Sequence, residues 1–135
     1  MNDQIRRLQA TQQTKDKYWG KPFDWKGGQT CIHMARFHAV KMGHKPLKMP
    51  TIQSAIGARR ALKDNGWVGV SEMLDSMFLS IAPASMKLGD LAVIEGDQGF
   101  DAIVVNVGHK VIGWHENGSG MVAMTPIGAV KAWHV

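Results

Sequence analysis

A single cysteine and a single tyrosine stand among 135 residues. One cysteine excludes an internal disulfide, and six scattered histidines beside it form none of the close ligand pairs of a structural zinc site, so no metal is expected. A chain that depends on no disulfide points to synthesis in a reducing cytoplasm. Uninterrupted apolar runs are also missing: no window approaches the ~18 residues of a membrane-spanning helix, and the first residues carry no apolar signal core. The chain holds 16 Lys and Arg against 11 Asp and Glu, a net charge of +5. These cations form no dense run and no aromatic-interleaved pattern, which argues against specific nucleic-acid binding and for a solvated basic surface. Gly27-Gly28 precedes a helix as a phosphate loop would, yet no Lys-Ser/Thr follows, so no nucleotide cofactor is expected. Repeats and low-complexity linkers are absent as well.

What remains fits one compact domain, 1–135, with 44% apolar residues and enough length to bury a core. Its first half is helical. Residues 2 to 18 are polar, with Ile5 and Leu8 at helical spacing, which predicts a helix held by one narrow apolar stripe and peripheral to the domain. Trp19 to Gly28 holds Pro22 and three glycines, a loop that Phe23 and Trp25 are expected to anchor against the body. From Cys31 to Met42 neither Gly nor Pro interrupts the chain, and Cys31, Met34, Ala35, His38 and Met42 share one face, with Gly43 as the stop. A third helix is expected around Ile52 to Asn65 with Thr51 as its cap, and a short fourth capped by Ser71 and ended before Pro83.

After Leu88-Gly89-Asp90 the period changes from helical to alternating. Leu91 to Ile94, Ile103 to Val107, Lys110 to Trp114 and Met121 to Met124 read as antiparallel strands, and Ala132-Trp133-His134-Val135 as a final edge strand open to pairing with a neighbour. Helices first and an antiparallel sheet second make an α+β fold.

The stretch Pro22-Phe23-Asp24-Trp25-Lys26-Gly27-Gly28-Gln29-Thr30-Cys31 places the cysteine at the mouth of a helix, where free amides and the helix dipole favour a thiolate. A small buried core residue is the competing reading, since free cysteine is among the most buried types. A nucleophile also needs a base within about 3 Å. His38 lies about 10 Å along the helix from Cys31 at ~1.5 Å per residue and cannot serve, and His33 points elsewhere. His44, His109 and His134 read as solvent-facing or turn residues. The five tryptophans could line a glycan groove, but large aromatics more often anchor loops and cores.

The order of a Cys-headed helix, two further helices, Gly89-Asp90 before a strand, and a strand ending in Val107-Gly108 resembles the NlpC-type, papain-like peptidoglycan peptidases. The resemblance implies a base at the start of the strand after Gly-Asp, where this chain has Asp101 or Ala102 in place of His, and an orienting residue at Trp114 or His115. Pro22-Phe23-Asp24-Trp25, Cys31, Gly89-Asp90 and the terminal Ala132-Trp133-His134-Val135 together resemble a family of small bacteriophage proteins encoded among tail genes. Lys26 takes a usual Gly place and Gln29-Thr30 precedes the cysteine where an acidic residue is common.

The resemblance implies a structural component of a phage tail tip or its assembly, made in the host cytoplasm and carried in the virion tail with other tail proteins as partners, on an enzyme scaffold that has lost its base. Two alternatives stay open: a cysteine peptidase cleaving peptidoglycan peptides during phage entry, with Cys31 as nucleophile and His115 as base, and a basic domain that binds an anionic polymer without cleaving it.

Overall fold

The computed structural model describes residues 2–45, 52–94, 101–114, 120–126 and 128–135. Four helices come first: α1 (Asp3–Tyr18), α2 (Cys31–Lys41), α3 (Ala55–Asp64) and α4 (Val70–Met77). Six strands follow: β1 (Leu79–Ile81), β2 (Leu91–Ile94), β3 (Ala102–Asn106), β4 (Val111–Trp114), β5 (Met121–Met124) and β6 (Ala129–His134). They form one antiparallel sheet in the order β1-β6-β2-β3-β4-β5. The α+β class read from the change of hydrophobic period is the class observed.

Strand alternation divides the sheet residues between two faces. Leu91, Val93, Ile103, Val105, Ile112 and Trp133 join the helices in the main core. Ala92, Val104, Val111 and Ala132 form a second cluster on the other side. Trp133 is fully buried and donates from Nε1 to Asp75 Oδ1 at 2.8 Å, which ties α4 to the sheet.

Two strand expectations change. The terminal strand β6 is not an edge, because it pairs with β2 (Ala92↔Ala132) on one side and β1 (Ser80↔Trp133) on the other. The covering strand β1 escapes a sequence reading because three residues directly after a helix carry no alternating pattern of their own. The helix starts also differ. α3 begins later, capped by Ser54, whose hydroxyl accepts from Gly57 N at 3.0 Å; the expected cap Thr51 lies outside the described residues. α4 begins at Val70 with Gly69 as cap, so Ser71 sits inside the first turn.

The largest departure concerns α1. Ile5 and Leu8, the expected packing stripe, are 46% and 58% exposed. The buried face is Arg7, Ala10, Thr11, Thr14 and Tyr18, which keep helical spacing but are mostly polar. The Arg7 guanidinium enters the domain and donates to Leu88 O at 2.7 Å, to Asp90 Oδ1 at 3.0 Å and to Val135 O. Asp90 is fully buried and accepts in addition from Lys87 N at 2.8 Å and Val135 N at 3.1 Å. One helix further in, His38 is clasped on both ring nitrogens. Its Nε2 donates to Gly89 O at 2.7 Å and its Nδ1 lies 2.8 Å from the Thr14 hydroxyl. The helix expected to be peripheral is docked, and polar groups dock it.

Gly89 sits where those contacts converge. Its φ of +89° suits glycine, and an added Cβ would stand 3.0 Å from Thr11 Oγ1 and 3.4 Å from Met42 Cε. The Gly-Asp pair is therefore the joint at which α1, α2 and the sheet are clamped together.

Candidate functional site

Cys31 is the first residue of α2, and Thr30 caps the helix by accepting from His33 N at 3.3 Å. Helix α2 packs on β3, which brings the cysteine beside Ile103. The side chain is only 7% exposed, in the main core. Burial pushes the thiol pKa up, and the backbone at Ile103, Cys31 and Ile32 acts in the opposite direction. Burial is the largest effect, so the proton is held more tightly than on a free thiol. Among the described residues no imidazole, lysine or arginine contributes to it.

The start of β3, where the papain-like pattern would supply a base, is directly visible. Ile103 and Val105 face the helices, whereas Val104 belongs to the opposite cluster. Ala102 pairs with Ile94, which also packs on the opposite side. Alternation thus turns Ala102 away from Cys31 and leaves Asp101 in phase with Ile103. Asp101 lines a cavity of about 520 Å³ together with Arg59, Leu62, Lys63, Trp67 and Val70. A carboxylate with an ordinary pKa near 4 is a poor base for a thiol near 8.5 or above. His115, the other base named from the sequence, lies outside the described residues.

The remaining histidines are accounted for individually. His38 is consumed by Thr14 and Gly89, and burial, the largest effect on it, holds its pKa down. His33 lies 2.7 Å from the Thr30 hydroxyl through Nδ1. His44 stacks edge-on against Phe78, with centroids 5.0 Å apart. His134 is half exposed and lies 3.4 Å from Asp90 Oδ1 and 3.1 Å from Arg7 Nη2. His109 stands exposed in the turn between β3 and β4. Among the described residues no three His, Cys, Asp or Glu side chains gather into a metal-binding group.

The loop before Cys31 is anchored much as its aromatics suggested. Phe23 stacks edge-on against Trp25 at 5.3 Å and against Trp114 at 5.9 Å, and Trp25 packs on the main core. The backbone adds to this: Met121 N donates to Lys21 O at 3.0 Å, and Trp114 Nε1 donates to the same oxygen at 2.8 Å. Gly120 permits that approach, since a Cβ there would stand 2.5 Å from Gly20 O.

Arg7 and Asp90, the polar centre of the domain, went unrecognised in the sequence. The available signal was a helix whose in-phase residues Arg7, Thr11 and Thr14 are polar, paired with a Gly-Asp turn far along the chain. The cluster of Lys17, Lys21 and His33 around Gly27-Gly28 was likewise unseen, because its members come from a helix end, a loop and a second helix.

The fold is similar to that in a crystal structure of the NlpC/p60 domain of the peptidoglycan hydrolase SagA, with a TM-score of 0.63, 16% identity, and coverage of 95% of this chain and 98% of that one. The fold is therefore that of an NlpC/p60 domain. No curated protein sequence matches the chain. Its residues 4–135 match the family model described as "Domain of unknown function (DUF6950)", and the chain belongs to that family.

Proposed function

We propose that this chain is an NlpC/p60-type domain that serves as a structural component of a bacteriophage tail, at the tail tip or in its assembly, and does not hydrolyse peptidoglycan. The observation that carries the loss of hydrolysis is the setting of Cys31. Its thiol is enclosed in the core with its pKa raised by burial, and the position just before β3, two residues ahead of Ile103, holds a carboxylate. Acyl transfer by a cysteine needs a thiolate and a base that returns a proton to the leaving amine. Asp101 cannot fill that role at neutral pH. The tail assignment is supported by the order Pro22-Phe23-Asp24-Trp25, Cys31, Gly89-Asp90 and Ala132-Trp133-His134-Val135, which resembles small phage tail proteins. Other tail proteins are the partners this reading implies, and the virion tail is its location.

One observation favours a second reading. The backbone at Cys31, Ile32 and Ile103 pulls the thiol pKa down against the larger effect of burial, as it would to stabilise a thiolate, and His115 follows Trp114 directly in the chain. On that reading the protein cleaves peptidoglycan peptides during entry.

Two measurements test the proposal. Purified protein incubated with peptidoglycan should release no new amino termini, and a Cys31→Ala variant should give the same trace. Mass spectrometry of intact particles should find the chain in the tail fraction. Cysteine-dependent release of peptides overturns the first half, and absence from particles overturns the second.

A further inference from the structure

A cleft of about 380 Å³ is lined by Lys17, Tyr18, Lys21, Gly27, Gly28, Gln29, His33 and Phe37. None of the described lining residues is a carboxylate, and Asp24 Oδ2 stands beside Gly27, 2.5 Å from where a Cβ there would be. Lys17 and Lys21 form no ion pair with a described residue. The Lys17 ammonium lies over the Phe37 ring, 4.3 Å from its centroid, which holds the charge at the cleft wall.

His33 supplies an aimed donor. Thr30 is fully buried and its oxygen already accepts from His33 N. The hydroxyl proton therefore requires an acceptor, and His33 Nδ1 at 2.7 Å is the one present. With Nδ1 accepting, Nε2 carries the ring proton, and it bonds to no described residue. The ring sits against Gly28, whose φ is +73°; a Cβ there would lie 3.6 to 4.0 Å from the imidazole edge. The Gln29 side-chain amide is likewise without a partner among the described residues. Lys17, Lys21, His33 and Gln29 thus line one cavity, and the Asp24 carboxylate beside Gly27 accepts from Lys26 N at 3.1 Å.

We infer that this cleft is a binding site for an oxyanion, the phosphate or carboxylate group of a ligand, held by Lys17, Lys21, His33 and Gln29. Thr30 already accepts from the His33 amide in the first turn of α2, and the site rests on the side chains that line the cleft. Charge-assisted hydrogen bonds from ammonium groups are the strong class, and in a half-open cleft they weaken with salt. The rings of Tyr18 and Phe37 offer apolar surface beside the anion.

The test uses the full chain, titrated with inorganic phosphate and separately with acetate at constant ionic strength set by chloride, and followed by amide and imidazole NMR. Saturable shifts confined to Gly28, Gln29 and His33 are expected, with the His33 pKa moving up as anion binds. Lys21→Glu, at an exposed side chain, should weaken binding by at least about tenfold while resonances of the sheet stay in place. Saturation by phosphate alone identifies a phosphate ligand, and saturation by acetate alone or by both identifies a carboxylate-tolerant site; each supports the inference. It is overturned if neither anion gives saturable shifts, if chloride reproduces them, or if Lys21→Glu binds as tightly as the parent chain.

Discussion

The guanidinium of Arg7 stands 3.0 Å from the carboxylate of Asp90, with both side chains almost wholly removed from solvent and 83 positions apart in the chain. A second carboxylate, Asp3, accepts from Arg7 Nε at 3.0 Å. Removing one member of a buried pair leaves the other charged without compensation, which typically costs about 3 to 5 kcal/mol. Small domains hold only about 5 to 15 kcal/mol in total.

Arg7→Met should therefore lower the urea midpoint sharply, by a free energy within that 3 to 5 kcal/mol range, and deletion of residues 1 to 12 should leave the chain unfolded. Arg7→Lys should recover only part of the loss, because an ammonium cannot reproduce a planar fork that reaches several acceptors at once. A truncated chain that keeps its cooperative transition would show that α1 is dispensable and that the pair contributes little.

Gly89→Ala should destabilise the domain by roughly 1 to 3 kcal/mol, since the backbone is in the left-handed region and the new methyl would press on Thr11 and Met42. Thr11→Ala combined with Gly89→Ala should recover the steric part only. Thermal melts of the single and double variants separate the two contributions. An unchanged melting temperature in Gly89→Ala would mean that the joint yields without cost.

The pH dependence of stability follows from His38. Burial lowers its folded pKa, so below about pH 6.5 the unfolded chain takes up a proton that the folded chain refuses. Stability should be full above pH 6.5 and fall as pH drops toward 5, by up to about 1.4 kcal/mol per pH unit for this group. His33 and His44 are shifted in the same direction and add to the slope. Urea titrations at several pH values check this, with His38→Gln expected to flatten the curve. A slope that survives His38→Gln unchanged would assign the effect to the other two.

Much of the architecture was legible because it rests on apolar periodicity. The Cys31 helix, the strands at Leu91, Ile103 and Met121, and the anchoring of the loop by Phe23 and Trp25 follow from that signal. The docking of α1 does not, since Arg7, Thr11 and Thr14 read as a solvated face until the Gly89-Asp90 turn is brought against them. The position of β6 was hidden for a related reason. A terminal strand looks like an edge unless the three residues of β1 are known to cover it. At the candidate site, the sequence narrowed the base position to Asp101 or Ala102, and only the phase of Ile103 in the sheet separates them.

That phase supplies the last prediction. If residue 101 occupies the place of a base, Asp101→His should put an imidazole on the Cys31 side of the sheet. An imidazole close enough to bond the sulfur should draw its pKa down, as a neighbouring imidazolium does in thiol enzymes. Each unit of lowering raises the thiolate fraction at neutral pH about tenfold. The parent chain should react slowly with iodoacetamide at pH 7, because burial holds the thiol protonated and covered, and faster in urea. Asp101→His should react several-fold faster than the parent in native buffer, with an unaltered rate in urea. Hydrolysis of peptidoglycan is not expected to follow, because an orienting partner for the new imidazole is also required. Equal native rates in the two proteins would show that position 101 does not face the sulfur, and a fast parent rate abolished by His115→Ala would restore the cysteine peptidase reading.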